Sequence, residues 1–234
     1  MKAIIKREFR GYFTSMLGYT FLAIFLLLSG VMFVTNNLSQ GRTSMNDYFI
    51  SMLSWAIFIL PILTMRMFSE DKKQRTDQLL LTSPISITEM VVGKFLAAVS
   101  AFGISLAVTL LYPLMMSFYS SVPFAETVSL YAGFILFCSM IISIGSFMSS
   151  VTENQIVAAI STYGVIILLM FLDMLTSIVS NPVISKILLW ISPFERFTDF
   201  TIGILNMEPI IYYISMTAVF LFLAVRVFEK KRWS

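Results

Sequence analysis

Hydrophobic positions in this chain fall in long blocks, and the charge-free stretches between ionic residues mark them out. Nothing between Arg10 and Arg42 is charged. A helix needs about 20 largely apolar residues to cross roughly 30 Å of hydrocarbon. Six stretches qualify: 16–35, 48–65, 95–118, 128–149, 155–176 and 209–227. The fifth holds one charge, Asp173, near its end. The sixth opens on Pro209, a residue suited to the first helical position. A seventh crossing over 178–191 is rejected, because it would contain Pro182 and Lys186 and would move the C-terminal basic cluster to the other side. The pattern predicts an all-α polytopic membrane protein, a single domain over 1–234 with six transmembrane helices.

The segments between the blocks are patterned too. In 1–14 and just beyond, Ile5, Phe9, Tyr12 and Met16 recur at helical spacing, with Lys2, Lys6 and Arg10 on the opposite face. That predicts a basic amphipathic helix lying on the inner leaflet. The apolar run after it is too long for a signal peptide and no small-x-small cleavage site follows, so it is expected to stay as an anchor. The segment 66–94 first reads as an extension of the second helix, through Glu70, Asp71, Lys72, Lys73, Gln74 and Arg75. Pro84 disfavours helix at Ser83. Ser86-Ile87-Thr88-Glu89 is a capping-box pattern that starts the third helix. A short protruding helix carrying Leu79, Leu80 and Leu81 is therefore expected. Exposed apolar clusters mark contact surfaces, so this one predicts a docked partner. The segment 177–208 is too apolar for an open loop, and Pro182 and Pro193 divide it. It predicts an outer re-entrant helical hairpin between spans five and six that caps the bundle.

Composition narrows the class. Of 234 residues, 58% are hydrophobic and 12% charged, against about 25% charged in soluble domains. Mean hydropathy is +0.87. A soluble enzyme, a disordered chain and a nucleic-acid binder are excluded. The basic residues are placed unevenly. With six crossings, 13 Lys and Arg fall on the side of the termini and only Arg42, Lys186 and Arg196 on the other. The asymmetry predicts that both termini are cytoplasmic.

Chemistry is mostly excluded. The chain has no histidine and one cysteine, Cys138, in an apolar run, which removes histidine-based catalysis, zinc-protease motifs and intrachain disulfides. Gly93-Lys94 is followed by Phe95 and lacks the upstream glycine of a phosphate-binding loop. No catalytic residue and no metal site is expected, and the scattered methionines read as core filling. Asp173, as an acid inside a span, is a candidate for structural or substrate contact. Ser139, Ser143, Ser146 and Ser150 recur on one face of the fourth span. They read as close helix packing, or with Asp173 as the polar lining of a translocation path.

Met65-Arg66-Met67-Phe68-Ser69-Glu70, Leu79-Leu80-Leu81-Thr82-Ser83-Pro84 and Val92-Gly93-Lys94-Phe95-Leu96 together resemble the ATP-binding-cassette type-2 permease family. Ser192-Pro193-Phe194-Glu195-Arg196-Phe197 with Gly203, and the basic C-terminal end, fit the same layout. The chain is most similar to the short permeases of the gliding-motility type. Where members carry Gly-Thr before Leu-Glu-Leu-Leu, this sequence has Arg75-Thr76 and Asp77-Gln78.

The resemblance implies a type V exporter in a bacterial cytoplasmic (inner) membrane. Two six-helix halves, alike or different, would pair and each receive one cytoplasmic ATPase subunit, with ATP and Mg held by that partner and no cofactor on this chain. Arg75, Thr76, Asp77, Gln78, Leu79, Leu80, Leu81, Thr82, Ser83 and Pro84 would form the coupling helix seated in the ATPase, with the N-terminal helix beside it. Pro193, Phe194, Glu195 and Arg196 would gate the exit. A non-transporting membrane scaffold that recruits or regulates a cytoplasmic ATPase is the alternative.

Overall fold

Six segments are long and apolar enough to cross a membrane: Gly18–Leu38, Asn46–Lys73, Ile87–Ser117, Phe124–Val151, Gln155–Leu175 and Met207–Lys231. They overlap the six predicted stretches one for one. A computed structural model describes residues 2–76, 86–178 and 188–233, with no strand among the described residues. Helix α1 (Lys2–Thr14) precedes α2 (Met16–Phe33), which runs on through a π-helical turn, Val34–Leu38. Then come α3 (Asn46–Thr64) with the short α4 (Ser69–Lys73), and α5 (Ile87–Thr109) with its continuation α6 (Leu111–Ser117). The chain continues through α7 (Phe124–Val151), α8 (Gln155–Ile178), the short α9 (Glu195–Thr201) and α10 (Met207–Trp233).

Helix α7 is the axis, packed against α3, α8, α9 and α10. Between helices in lipid there is little hydrophobic drive, so association depends on close packing. Gly145 supplies it. A Cβ there would lie 2.0 Å from Thr64 Oγ1, so a larger residue would push α3 off α7. Ser143 and Ser146 are buried on the same helix and donate to Met140 O and Ile142 O, each at 2.7 Å. The outward faces of α8 and α10, with Ile160, Leu168, Phe171, Ile211 and Phe222, stay exposed and apolar.

The third span starts as its sequence requires and then breaks once. Ser86 caps α5, its hydroxyl accepting from Glu89 N at 3.2 Å. The axis is interrupted at Leu110, three residues before Pro113. Pro113 has no N–H to offer the Thr109 carbonyl. The Tyr131 hydroxyl takes its place, donating to Thr109 O at 2.9 Å. In hydrocarbon a freed carbonyl must find such a partner.

Two expectations shift in detail. The predicted extension of the second helix is broken over 65–68, and the chain restarts as α4. The face of α1 that meets the bundle takes in most of the predicted stripe and adds to it: Ile5, Phe9 and Tyr12 are half-buried and Lys6 and Arg10 exposed, but Ile4 is buried and Glu8 half-buried, while Met16, already in α2, is 86% exposed. The buried cation opposite Glu8, described next, explains why that acid faces inward. Of the segment between spans five and six, 188–191 is helical and α9 packs on α7 and α10. The predicted arm over 179–187 lies outside the described residues.

Candidate functional site

Both chain termini, the segment joining spans two and three, and the end of α7 meet at one end of the bundle, here the terminal end. Its centre is Lys94, in the second turn of α5 and only 3% exposed. Its Nζ lies 2.6 Å from Asp71 Oδ2 and 3.3 Å from Glu8 Oε2, and donates to Met67 O at 2.8 Å. The Phe68 ring lies 5.4 Å away. An ammonium can be buried only with its donors satisfied by opposite charge. Here the satisfying groups come from α1, α4 and the turn before α4, so one charge joins three segments.

Packing brings these partners together. A Cβ at Gly93 would stand 3.1 Å from Ile4 Cγ2, so this glycine lets α1 lie against α5. A Cβ at Gly18 would sit 1.9 Å from Tyr12 O, so a side chain there would open the corner between α1 and α2. Beside Lys94, Arg66 grips Glu70 with two nitrogens, at 2.6 and 2.5 Å. Such bidentate pairs fix direction as well as distance.

A second knot ties the same segment to α7. The Ser149 hydroxyl accepts from Phe68 N at 3.0 Å and Ser69 N at 3.1 Å, and donates to Met65 O at 3.1 Å. Lys72 donates to Ser150 O at the end of α7, where the helix dipole favours a cation. Its Nζ also lies 5.4 Å from the Phe228 ring of α10. Beyond this knot Arg75 adopts φ +57°, the left-handed region. Thr76 donates to Asp71 O at 3.3 Å and Oδ1 at 3.2 Å. Of the predicted partner-contact residues, Arg75 and Thr76 are thus placed at the root of the segment. Asp77, Gln78, Leu79, Leu80, Leu81, Thr82, Ser83 and Pro84 lie outside the described residues.

At the far end, Ser192 donates to Asp173 of α8 and accepts from Glu195 N at 3.3 Å. Asp173 therefore tethers span five to the turn before α9. Tyr213 donates to Pro193 O at 2.6 Å, and Phe194 meets Phe137 of α7 with ring centroids 5.4 Å apart. Arg196 pairs with Glu208 at 3.0 Å and covers the Tyr212 ring at 4.8 Å. The predicted gate residues are brought together on α7 and α10. Ser143 and Ser146 are buried on α7, Ser146 meeting Met67 Sδ in the turn after α3 at 3.5 Å, and Ser139 is half-buried on α7.

A family model described as ABC-2 family transporter protein matches residues 30–227. The chain belongs to the ABC-2 transporter family. A search of curated proteins finds no match to it. Family membership and six apolar helices make this a multi-pass membrane protein, a transport component of the permease kind. The ionic knot straddles the edge of the ABC-2 match: Asp71 and Lys94 lie inside it and Glu8 before it.

Sequence reasoning missed this knot. The phosphate-loop test says nothing of where Lys94 sits, and the helical pattern places Lys72 only in an extension of the second helix. A signal was present: Glu8 is the only acid before Asp47, set in a basic helix, and Lys94 lies inside the helical run that enters the third span.

Proposed function

We propose that this chain is one permease half of an ATP-driven exporter, energised by separate cytoplasmic ATPase subunits. The ABC-2 match across 30–227 is the observation that carries the reading. In it, a second permease half completes the pore, two ATPase subunits hold ATP and Mg, and the terminal end faces the cytoplasm of a bacterial inner membrane. The excess of basic residues at that end supports the orientation.

Residues 75–84 are the segment that docks on the ATPase. The geometry at their base supports this. Asp71 precedes the segment, Lys94 follows it, and both meet at one ion cluster with Glu8. A push on the segment would reach α1, α4 and α5 together, and through Ser149 and Lys72 it would reach α7. ATP can drive such a rigid-body change only by binding one arrangement of the halves more tightly than the other. Pro193, Phe194, Glu195 and Arg196 are assigned to the outer gate, and the serine face of α7 to helix packing.

The test is Leu79→Asp combined with Leu80→Asp, with ATPase co-purification from mild detergent as the readout. Loss of the ATPase is expected. Association at full strength would remove the docking assignment. Substrate-stimulated ATP turnover in reconstituted vesicles would separate a transporter from a scaffold that recruits the same ATPase.

A further inference from the structure

Ser44 and Glu126 meet at the far end of the bundle, the Ser44 hydroxyl donating to Glu126 Oε1 at 2.5 Å. The contact spans 82 positions. Phe49 and Tyr131 keep the same offset, with ring centroids 4.8 Å apart. Helices α3 and α7 therefore run side by side in one direction, which brings Asn46 level with Val128 and Ser129. Glu126, Ser129 and Gly133 recur at i, i+3 and i+7, along one stripe of α7. A Cβ at Gly133 would lie 2.6 Å from the Phe200 ring, so the end of α9 seats on that stripe. Asn46 reaches the same place, its Nδ2 donating to Thr201 O at 3.2 Å. Three elements converge on one corner.

Two oxygens in that corner are buried without a hydrogen-bond partner among the described residues, Asn46 Oδ1 and Ser129 Oγ. Ser129 is fully buried. The buried serines Ser143, Ser146 and Ser150 of the same helix turn their hydroxyls onto their own backbone, and Ser129 does not. Glu126 is half-buried and makes no ion pair among the described residues. The protons nearby are mostly spent. Ser44 gives its own to Glu126, the Asn46 N–H goes to Ser44 Oγ at 3.3 Å, and Asn46 Nδ2 serves Thr201 O. What remains is lone pairs around one negative charge. Buried polar atoms left over in this way call for a bound water or ion. A water could accept from Ser129 and donate to Asn46, but it brings no charge to Glu126. Carboxylate, amide and hydroxyl oxygens together are the donor set of a hard cation.

We propose that this corner binds a hard monovalent cation of the sodium class, held by Glu126 Oε2, Asn46 Oδ1 and Ser129 Oγ, with water completing its shell. One carboxylate matches one positive charge. A divalent ion, whose affinity depends on the count of ligand charges, finds a single charge here. Ser44 is a positioning residue: it fixes Oε1 and leaves Oε2 to the ion. The exposed part of Glu126 gives the ion a way in. Bound there, the ion clasps the starts of α3 and α7 to the end of α9.

Equilibrium binding of radioactive sodium to the full chain in mild detergent, at ionic strength held constant with choline chloride, tests this. The expected result is saturable binding of one ion per chain that equimolar calcium does not displace. The melting temperature should rise by about 4 °C once sodium reaches about ten times its dissociation constant. Glu126→Gln should abolish both effects, and Ser44→Ala should weaken binding about tenfold. Absence of saturable binding would leave the two orphan oxygens to water and overturn the proposal. Displacement of sodium by equimolar calcium, or a Glu126→Gln protein that binds as before, would overturn it too. Should Glu126→Gln elute as aggregate in size exclusion, Ser44→Ala decides the matter by the same titration. None of these readouts depends on ATP or on transport.

Discussion

Lys94 shows how much one residue can carry when its charge is buried. Replacing it with Met leaves Asp71 without its cation, while Glu8 keeps Arg7. Breaking a buried pair by removing one partner costs about 3–5 kcal/mol. Lys94→Met should therefore lower the melting temperature markedly, and Asp71→Asn added to it should recover part of the loss in a double-mutant cycle. Arg75 carries a different kind of cost. Its φ of +57° is a conformation that L side chains disfavour by about 1 kcal/mol, at the position where the resembled permeases carry glycine. Arg75→Gly should stabilise the protein by up to about 1 kcal/mol in thermal unfolding, since glycine adopts that backbone freely. The residue types at both positions were visible in the sequence. The burial of one and the backbone of the other were not.

At the scale of elements, the third span is the instructive case. Its start was legible, because Ser86 and Glu89 form a local pattern that needs no tertiary partner. Its break at Leu110 was not read, because a proline in an apolar run is tolerated wherever a neighbour satisfies the freed carbonyl. Here the neighbour is Tyr131 of α7. Tyr131→Phe should cost about 1–3 kcal/mol, the penalty of an unsatisfied buried carbonyl. Adding Pro113→Ala should return much of it, because alanine restores the N–H that Thr109 O lacks. Melting temperatures of the two single variants and the double variant check this. An unrelieved double variant would mean that the Tyr131 ring, and not its hydroxyl, holds the element. The face of α1 teaches the same lesson. Periodicity located the helix and its apolar side, but only a charge on another helix explains why Glu8 faces inward beside it.

For the whole molecule, the bundle divides into two ends with different chemistry. The terminal end is knitted by buried ions and by the ends of helices, and the far end by tyrosines and phenylalanines on α7 and α10. The proposed orientation rests on the basic asymmetry and is open to direct measurement. Cys138 is fully buried, so a thiol introduced at the surface is read almost alone. A membrane-impermeant thiol reagent should label Thr198→Cys in intact cells and Lys73→Cys only after permeabilisation. The opposite pattern would invert the molecule and place segment 75–84 away from any cytosolic ATPase.

The amino-acid sequence alone determined the number of crossings, their limits to within eight residues, the bias of positive charge and the absence of histidine. These follow from composition along a line, because the membrane acts as a solvent that reads each twenty-residue stretch separately. Only the tertiary structure decided that α7 is the axis, that Gly145, Gly93 and Gly18 mark close approaches, and that Glu8, Asp71 and Lys94 share one site. Those depend on contacts between residues as far as 86 positions apart. No local pattern encodes which distant partner will meet a buried charge.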